Sequence, residues 1–378
     1  MLRYRSLLVR SKPGLDVWPT RLSCQGTQLQ RGAVITQRHA MIGDKGENGS
    51  CTGNWRNGRW KLPVAGFAIL LCWGALNHAL AATTEDVRFP TNVVPNTVND
   101  QPVELKARLY LPDKPELPMP AVVITPSSGG VKPFREIHYA EALAGAGIAA
   151  LVVDSFASRG IVNSVHDQRL LTRWQTGNDA IAGLRWLSRD ERFNPDRIAV
   201  MGVSKGGIVA LDTALDVRRR WMRATNVKFA AHVALSPGCR WVNRSTVTTG
   251  APILLLLAEL DDATPAPACV ARAEQLRLTG NTKVEVKVYQ GAHHAWEAIT
   301  PKPLFDPWAE NYSLCQVWIE DDGALTTGSD GASIPRRQWY EWAKRGCMKL
   351  GAHCCGGTPE LKQQATRDII AFLRKHGF

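Results

Sequence analysis

Five short apolar runs recur along the chain with helical patterns between most of them: Ala121–Ile124, Ile148–Val153, Ile198–Val203, Phe229–Leu235 and Ile253–Leu257. A run this short, bounded by Gly, Pro or polar residues, suits a strand covered on both faces better than a helix. Ile137–Ala146, Lys205–Leu215 and Ala266–Leu278 read as helices, and so does Asp167–Ser188, through Leu171, Trp174, Ala180, Leu184 and Leu187. Val284–Tyr289 reads as another strand, and Pro359–Lys375 as a closing amphipathic helix. Glu104–Leu111, whose apolar residues alternate with polar ones, reads as an edge strand. Alternating strands and helices demand parallel strands joined by crossover helices, so the expected fold class is α/β: a three-layer sandwich with a mostly parallel central sheet flanked by helices. No internal repeat is visible, which argues against a solenoid or propeller. Residues 297–358 break the rhythm, with Pro, Gly, Asp and aromatics in no clear period.

The net charge of +12 over 378 residues suggests a nucleic-acid partner until its distribution is considered. Residues 1–81 hold 11 Lys/Arg against 3 Asp/Glu, whereas the remaining 297 residues hold 35 against 31, so the body of the chain carries only +4. No basic stripe is left to track phosphates, and no nucleic-acid partner is expected. The basic excess precedes an uncharged stretch, Leu62–Thr84, with a strongly apolar core at Val64–Leu76 and Ala79-Leu80-Ala81 near its end. A basic flank, a short apolar core and an A-x-A site read as a secretory signal over residues 61–81, cleaved after Ala81, with an uncleaved membrane anchor as the alternative. Any contact with a membrane is expected only through this segment. Residues 1–60 are rich in Arg, Gly, Gln and Asn without apolar period, and read as a disordered or untranslated extension, Met41 being a more natural start. Residues 82–378 are then the working domain. Six cysteines fall within it, an even number compatible with disulfides in an exported chain. None has zinc-finger spacing, and no metal or organic cofactor is expected.

Gly202-Val203-Ser204-Lys205-Gly206 begins where the run Ile198–Val203 ends and a small-residue helical segment begins. This is the strand–turn–helix context of a G-x-S-x-G elbow, in which glycines two before and two after the serine let strand and helix approach closely. The serine hydroxyl needs a base, and the base an orienting acid, in the chain order Ser, Asp or Glu, His. Glu259-Leu260-Asp261-Asp262 follows one strand, and His293-His294 follows the next. The oxyanion donors fall to the backbone N–H of Lys205, after the nucleophile, and to Ser127 or Ser128 in the loop Thr125-Pro126-Ser127-Ser128-Gly129-Gly130.

Taken together, VVITPSSGG, LVVDSFASRG, RIAVMGVSKGG, LSPGC, ELDDATPAPAC and YQGAHHAW resemble the dienelactone hydrolase family of α/β-hydrolases over roughly Val103–Trp296 and the last helix. The resemblance implies that the acid is Asp261, four residues before the Pro of a D-x-x-x-P turn, and that the histidine is His294, two before Trp296. Asp262 and His293 become neighbours. The family's nucleophile is a cysteine where this chain has Ser204, and the segment 297–358 is an addition to its compact fold. What the resemblance implies is a serine hydrolase cleaving small-molecule carboxylic esters through an acyl-enzyme, with a peptidase, an acyltransferase or a non-catalytic binding protein of the same fold as alternatives. In this fold Cys239 and Cys269 follow strands that lie side by side, which makes them one disulfide candidate. Cys315 with Cys347, closing most of the 297–358 segment, is the other. The adjacent Cys354 and Cys355 make a strained pair, one of which seeks another partner or stays free.

The natural mature protein is expected to begin near Ala82 and to lie outside the cytoplasmic membrane, in the periplasm of a Gram-negative source. N-terminal sequencing checks this; recovery only from detergent-solubilised membranes, still carrying Val64–Leu76, would contradict it.

Overall fold

The structure, a computed structural model, describes residues 83–92 and 102–378; the expectations for residues 1–60 and for the signal segment lie outside the described residues. In chain order the elements are β1 (Thr83–Pro90), β2 (Glu104–Leu111), β3 (Met119–Thr125), α1 (His138–Gly145), β4 (Ala149–Asp154), α2 (Arg173–Leu187), β5 (Phe193–Val203) and α3 (Lys205–Thr213). There follow α4 (Asp216–Trp221), β6 (Ala231–Leu235), β7 (Trp241–Asn243), β8 (Ile253–Ala258), α5 (Ala266–Leu278) and β9 (Val284–Tyr289). The last part holds β10 (Leu304–Asn311), β11 (Val317–Ile319), β12 (Leu325–Thr327), β13 (Ser333–Ile334), α6 (Trp339–Gly346), β14 (Lys349–Cys354) and α7 (Pro359–Lys375).

Eight strands form the main sheet in the order β1-β2-β4-β3-β5-β6-β8-β9. The pairs β1–β2 and β2–β4 are antiparallel, and from β4 onward every neighbouring pair is parallel. The two-residue period of a strand divides each buried run between the faces. In β8, Leu254 and Leu256 pack toward the layer of α1 and α7, with Leu143, Ile369 and Phe372, while Ile253, Leu255 and Leu257 pack toward α5, with Ala273 and Leu276. Farther along the sheet, α2 and α3 cover that second face through Ile181, Leu184, Val209 and Ala210. The result is the three-layer α/β-hydrolase sandwich. Strand order reverses between β3 and β5, which are neighbours although the chain visits β4 between them. The loops leaving the carboxyl ends of β3 and β5 therefore open a crevice side by side, where ligands of such sheets bind.

Two sequence expectations are corrected. Glu104–Leu111 is not the edge strand, because β1 pairs along its whole length outside it. Thr83–Pro90 escaped the pattern because an edge strand needs to bury little, and only Phe89 in it is buried. The helix expected over Asp167–Ser188 starts at Arg173, where the Thr172 hydroxyl accepts from the Gln175 amide and the Gln175 side chain accepts from the Thr172 amide. That capping box stops the helix, leaving Asp167–Leu171 in a loop.

The segment 297–358 has structure the missing period did not reveal. It contributes a ribbon, β10–β14, and three strands that extend β7 into a four-stranded sheet ordered β13-β12-β11-β7. Its two ends lie together: Ile299 bridges Gly357, whose N–H donates to the Ala298 carbonyl at 3.3 Å. A Cβ on Gly357 would stand 1.6 Å from the Trp296 oxygen, so the chain leaves and re-enters the domain at one point that only glycine permits. The small core beneath holds Cys315, Val317, Ile319, Leu325, Ile334 and Ala343. Cys315 is joined to Cys347 and Cys239 to Cys269, while Cys354 and Cys355 are not in disulfides. Among the described residues no helix is long and apolar enough to cross a membrane.

Replacing Cys315 and Cys347 together with alanine should destabilise the segment by about 3–4 kcal/mol, the loop-closure entropy of a cross-link of this span. Urea unfolding followed by tryptophan emission checks this, and an unchanged midpoint would show that the core holds the segment without the bond.

Candidate active site

Ser204 sits between β5 and α3 with φ 56° and ψ −114°, a backbone conformation that L-residues adopt only when their surroundings impose it. What imposes it is the closeness of three chain segments. A Cβ on Gly202 would lie 2.4 Å from Thr125 Oγ1, and one on Gly206 would lie 2.4 Å from the Thr125 carbonyl oxygen. The Ser204 N–H donates to the Leu235 carbonyl at 2.8 Å, fixing the turn to the end of β6. As the first residue of α3, Lys205 has an amide with no helical carbonyl to bind, and the positive end of the helix dipole adds to its pull on an anion.

Asp261, just past β8, is buried. One of its oxygens accepts from the amides of Ala263 at 3.0 Å and Thr264 at 2.7 Å. The other accepts from the Thr264 hydroxyl and from His294 Nδ1, both at 2.7 Å. Burial alone would raise the Asp261 carboxyl, but the His294 charge, the imidazole N–H and the Thr264 donors outweigh it and hold it below the usual carboxylate range. His294 is moved the other way. Burial would lower it, but the Asp261 charge and hydrogen bond prevail and raise it above an ordinary histidine. With Nδ1–H given to Asp261, Nε2 is the atom left to act as base. Ser204 and His294 line one cavity of about 810 Å³, with no hydrogen bond between them in this structure. Such a bond often tightens only once substrate is present.

The neighbours named from the sequence have other partners. Asp262 Oδ2 accepts from His353 Nδ1 of β14 at 2.8 Å, and its Oδ1 accepts from the His353 amide at 2.9 Å. His293 stacks obliquely on His353, 6.0 Å between ring centroids. Ser127 and Ser128 are buried and line the same cavity as Ser204. The Ser127 amide donates to Glu136 Oε1 at 3.2 Å, and among the described residues the Ser128 amide has no acceptor. The Lys205 side chain runs into the protein, where Nζ donates to Ser164 Oγ at 2.6 Å and to the Leu171 carbonyl, and burial lowers its pKa to about 7 against the pull of Glu310 and Asp167. It thereby anchors the loop before α2 that walls the cavity.

Three features were not foreseen from the sequence. Thr264 shares its hydroxyl between Asp261 and the Ser236 carbonyl, with His294 Nδ1 3.1 Å away; the D-x-x-T spacing, an Asp receiving the amide three residues on, could have pointed to it. Glu310 receives the Gln168 amide and the Tyr312 hydroxyl, both at 2.9 Å, tying β10 to the loop before α2. The cavity also gains an aromatic wall, Trp241, Tyr312 and Trp339, with Trp241 and Trp339 edge to face at 4.9 Å. Nothing in the sequence pattern brings those three together. Among the described residues no group of three or more His, Cys, Asp or Glu is placed to hold a metal ion.

Residues 105–318 match the profile of the dienelactone hydrolase family. Solved structures with similarity include an esterase of the planctomycete Thermogutta terrifontis, 17% identical, with 58% of this chain and 85% of that one covered at a TM-score of 0.42. An α/β hydrolase from a deep-sea metagenome library of the Medee basin is also 17% identical, over 57% of this chain and 85% of that one, at a TM-score of 0.42. No curated protein matches the chain.

Asp261→Asn removes the charge that raises His294 and leaves burial to lower it. The acidic limb of kcat/KM should then move to lower pH while kcat falls by about 10⁴-fold, as loss of the orienting acid does in other triads. A pH profile of ester turnover reads both effects; an unmoved limb would mean that Asp261 does not set the histidine's charge.

Proposed function

Because the chain belongs to the dienelactone hydrolase family, we propose that it is a serine hydrolase that cleaves carboxylic esters through an acyl-enzyme. The observation that carries this reading is the Asp261–His294 pair at 2.7 Å, in the same cavity as a serine on a strained strand–helix turn. His294 Nε2 takes the proton of Ser204 Oγ as the hydroxyl attacks the ester carbonyl. The carbonyl oxygen becomes an oxyanion, held by the amide N–H of Lys205 and that of Ser128, since the Ser127 amide is already engaged with Glu136. The protonated His294 then gives its proton to the departing alkoxide, and the alcohol leaves. Water, deprotonated by His294, attacks the acyl-enzyme, and collapse of the second oxyanion returns the acid and the Ser204 hydroxyl. Asp261 keeps Nδ1 protonated throughout, and Thr264 holds Asp261. The reaction so written uses no metal and no organic cofactor.

The substrate is a small-molecule ester, with no nucleic-acid partner. The Ser204 cavity has room for an acyl or alcohol group well beyond acetyl, and its wall of Trp241, Tyr312 and Trp339 favours an apolar one. Export after Ala81 is part of the same reading. The pairs Cys239–Cys269 and Cys315–Cys347 support it, since such bonds persist in oxidising compartments.

Ser204→Ala should abolish both ester turnover and labelling by a fluorophosphonate while leaving the far-UV spectrum unchanged. His294→Ala should cost about 10⁴-fold or more in kcat, and His293→Ala far less. Turnover surviving in Ser204→Ala would end the acyl-enzyme reading, and a dead His293→Ala beside an active His294→Ala would move the base by one residue.

A further inference from the structure

Cys354 and Cys355 play no part in the hydrolytic steps above. Cys354 ends β14, and Cys355 follows it with φ 71°, in the left-handed region. Their Sγ atoms lie 2.7 Å apart, and both residues line the cavity that holds Ser204 and His294. They also support the histidine. Cys354 bridges His294, and the Cys355 N–H donates to the His294 carbonyl at 2.7 Å. The peptide joining the two cysteines is therefore part of the scaffold behind His294. The other four cysteines of the described residues are in disulfides, so this pair is the dithiol that remains there.

We propose that Cys354 and Cys355 form a vicinal dithiol site on the cavity wall, reactive toward small disulfides and trivalent arsenicals, and that closing it to a disulfide displaces the His294 loop and slows acylation of Ser204. The second half rests on the serine-hydrolase reading; the first half does not.

The contact between the two sulfurs lowers the Cys354 thiol, burial opposes, and the His294 charge lowers it further; the same contact raises Cys355. Cys354, which bridges His294, attacks first in the steps that follow, and the same exchange balances with the two sulfurs interchanged. Having lost its proton, the Cys354 thiolate attacks one sulfur of an external disulfide RSSR, forming the mixed disulfide and expelling RS⁻, which leaves as RSH. The Cys355 sulfur, losing its proton in turn, attacks Cys354 Sγ, forming the Cys354–Cys355 bond and expelling a second RSH. Two thiols are oxidised by two electrons, and one external disulfide is reduced to two thiols.

Geometry links this chemistry to the histidine. Adjacent Cα atoms stand about 3.8 Å apart across a trans peptide, short of the roughly 4.4–6.8 Å usual for disulfides. Closing the bond must therefore distort the intervening peptide, whose N–H holds the His294 carbonyl. The same strain makes the bond easy to reduce, unlike the two structural pairs.

The test uses the full chain treated with glutathione disulfide, then alkylated, digested and weighed, with the rate of fluorophosphonate labelling followed in parallel. The peptide containing residues 354 and 355 should lose two hydrogens, and a mild reductant should restore them without opening Cys239–Cys269 or Cys315–Cys347. Labelling should slow by about fivefold or more on oxidation and recover on reduction, a response absent from the double variant Cys354→Ser/Cys355→Ser. Phenylarsine oxide should bind one equivalent per chain and none in Cys354→Ser. Two thiols still separately alkylated after treatment, together with no arsenical bound, would overturn the site. Oxidation at 354–355 with labelling slowed by less than that factor would overturn the gate. A chain that takes up arsenical but labels in neither state would keep the dithiol site and sink the serine-hydrolase reading instead.

Discussion

At Gly206 the first turn of α3 presses against the end of β3, so closely that a single added carbon would stand 2.4 Å from the Thr125 carbonyl oxygen. The Thr125 hydroxyl binds across the same gap, to the Met201 carbonyl at 3.1 Å and the Gly206 carbonyl at 3.2 Å. This contact forces Ser204 into its positive-φ turn, because strand and helix leave no other route between them. It also brings the amide of Lys205 beside the loop that carries Ser127 and Ser128. Ser204, the proposed nucleophile, and the amides proposed to bind the oxyanion are thus placed by one steric constraint, acting where the strand order reverses.

Around that constraint the electrostatics are arranged by burial. Asp261 is out of water, which would neutralise it if it stood alone; three donors and an imidazole keep it charged. A buried acid held in this way aims its partner, because any other orientation of His294 would leave the carboxylate short of a donor. The arrangement extends outward. Asp262, the next residue, holds His353 of β14, and the Asp262 carbonyl accepts from Asn311 of β10 at 3.1 Å. The acid-bearing loop therefore clamps the histidine on one side and the added segment on the other, and a change in the ribbon β10–β14 reaches the site through one short stretch of chain.

The added segment turns an open crevice into a walled cavity. Its polar, glycine-rich sequence buries only a small cluster around Val317 and Ala343, so its order depends on the Cys315–Cys347 bond, on strand pairing with β7, and on Glu310 binding the loop before α2. Because it leaves and returns within one close contact at Gly357, it could be added without disturbing the sheet or α7.

The sequence by itself determined the parallel sheet, since its central strands are continuous apolar runs that only a doubly covered sheet can bury. It also marked the serine elbow, because the glycines around Ser204 stand where an apolar strand run ends and a small-residue helical run begins. The residues of the acid and histidine loops could be narrowed to neighbours, and family resemblance then named one of each. Tertiary structure decided the rest. Edge strand β1 has too little to bury to leave a pattern. Thr264 acts through a local turn whose partner, His294, is thirty residues away. The cavity wall of Trp241, Tyr312 and Trp339 exists only because β11 pairs with β7, and the nearness of Cys354 and Cys355 to His294 exists only because β14 folds back on the histidine loop. Local spacing fixes what a segment can become; contacts between distant segments depend on which surfaces remain to be buried once the sheet has formed.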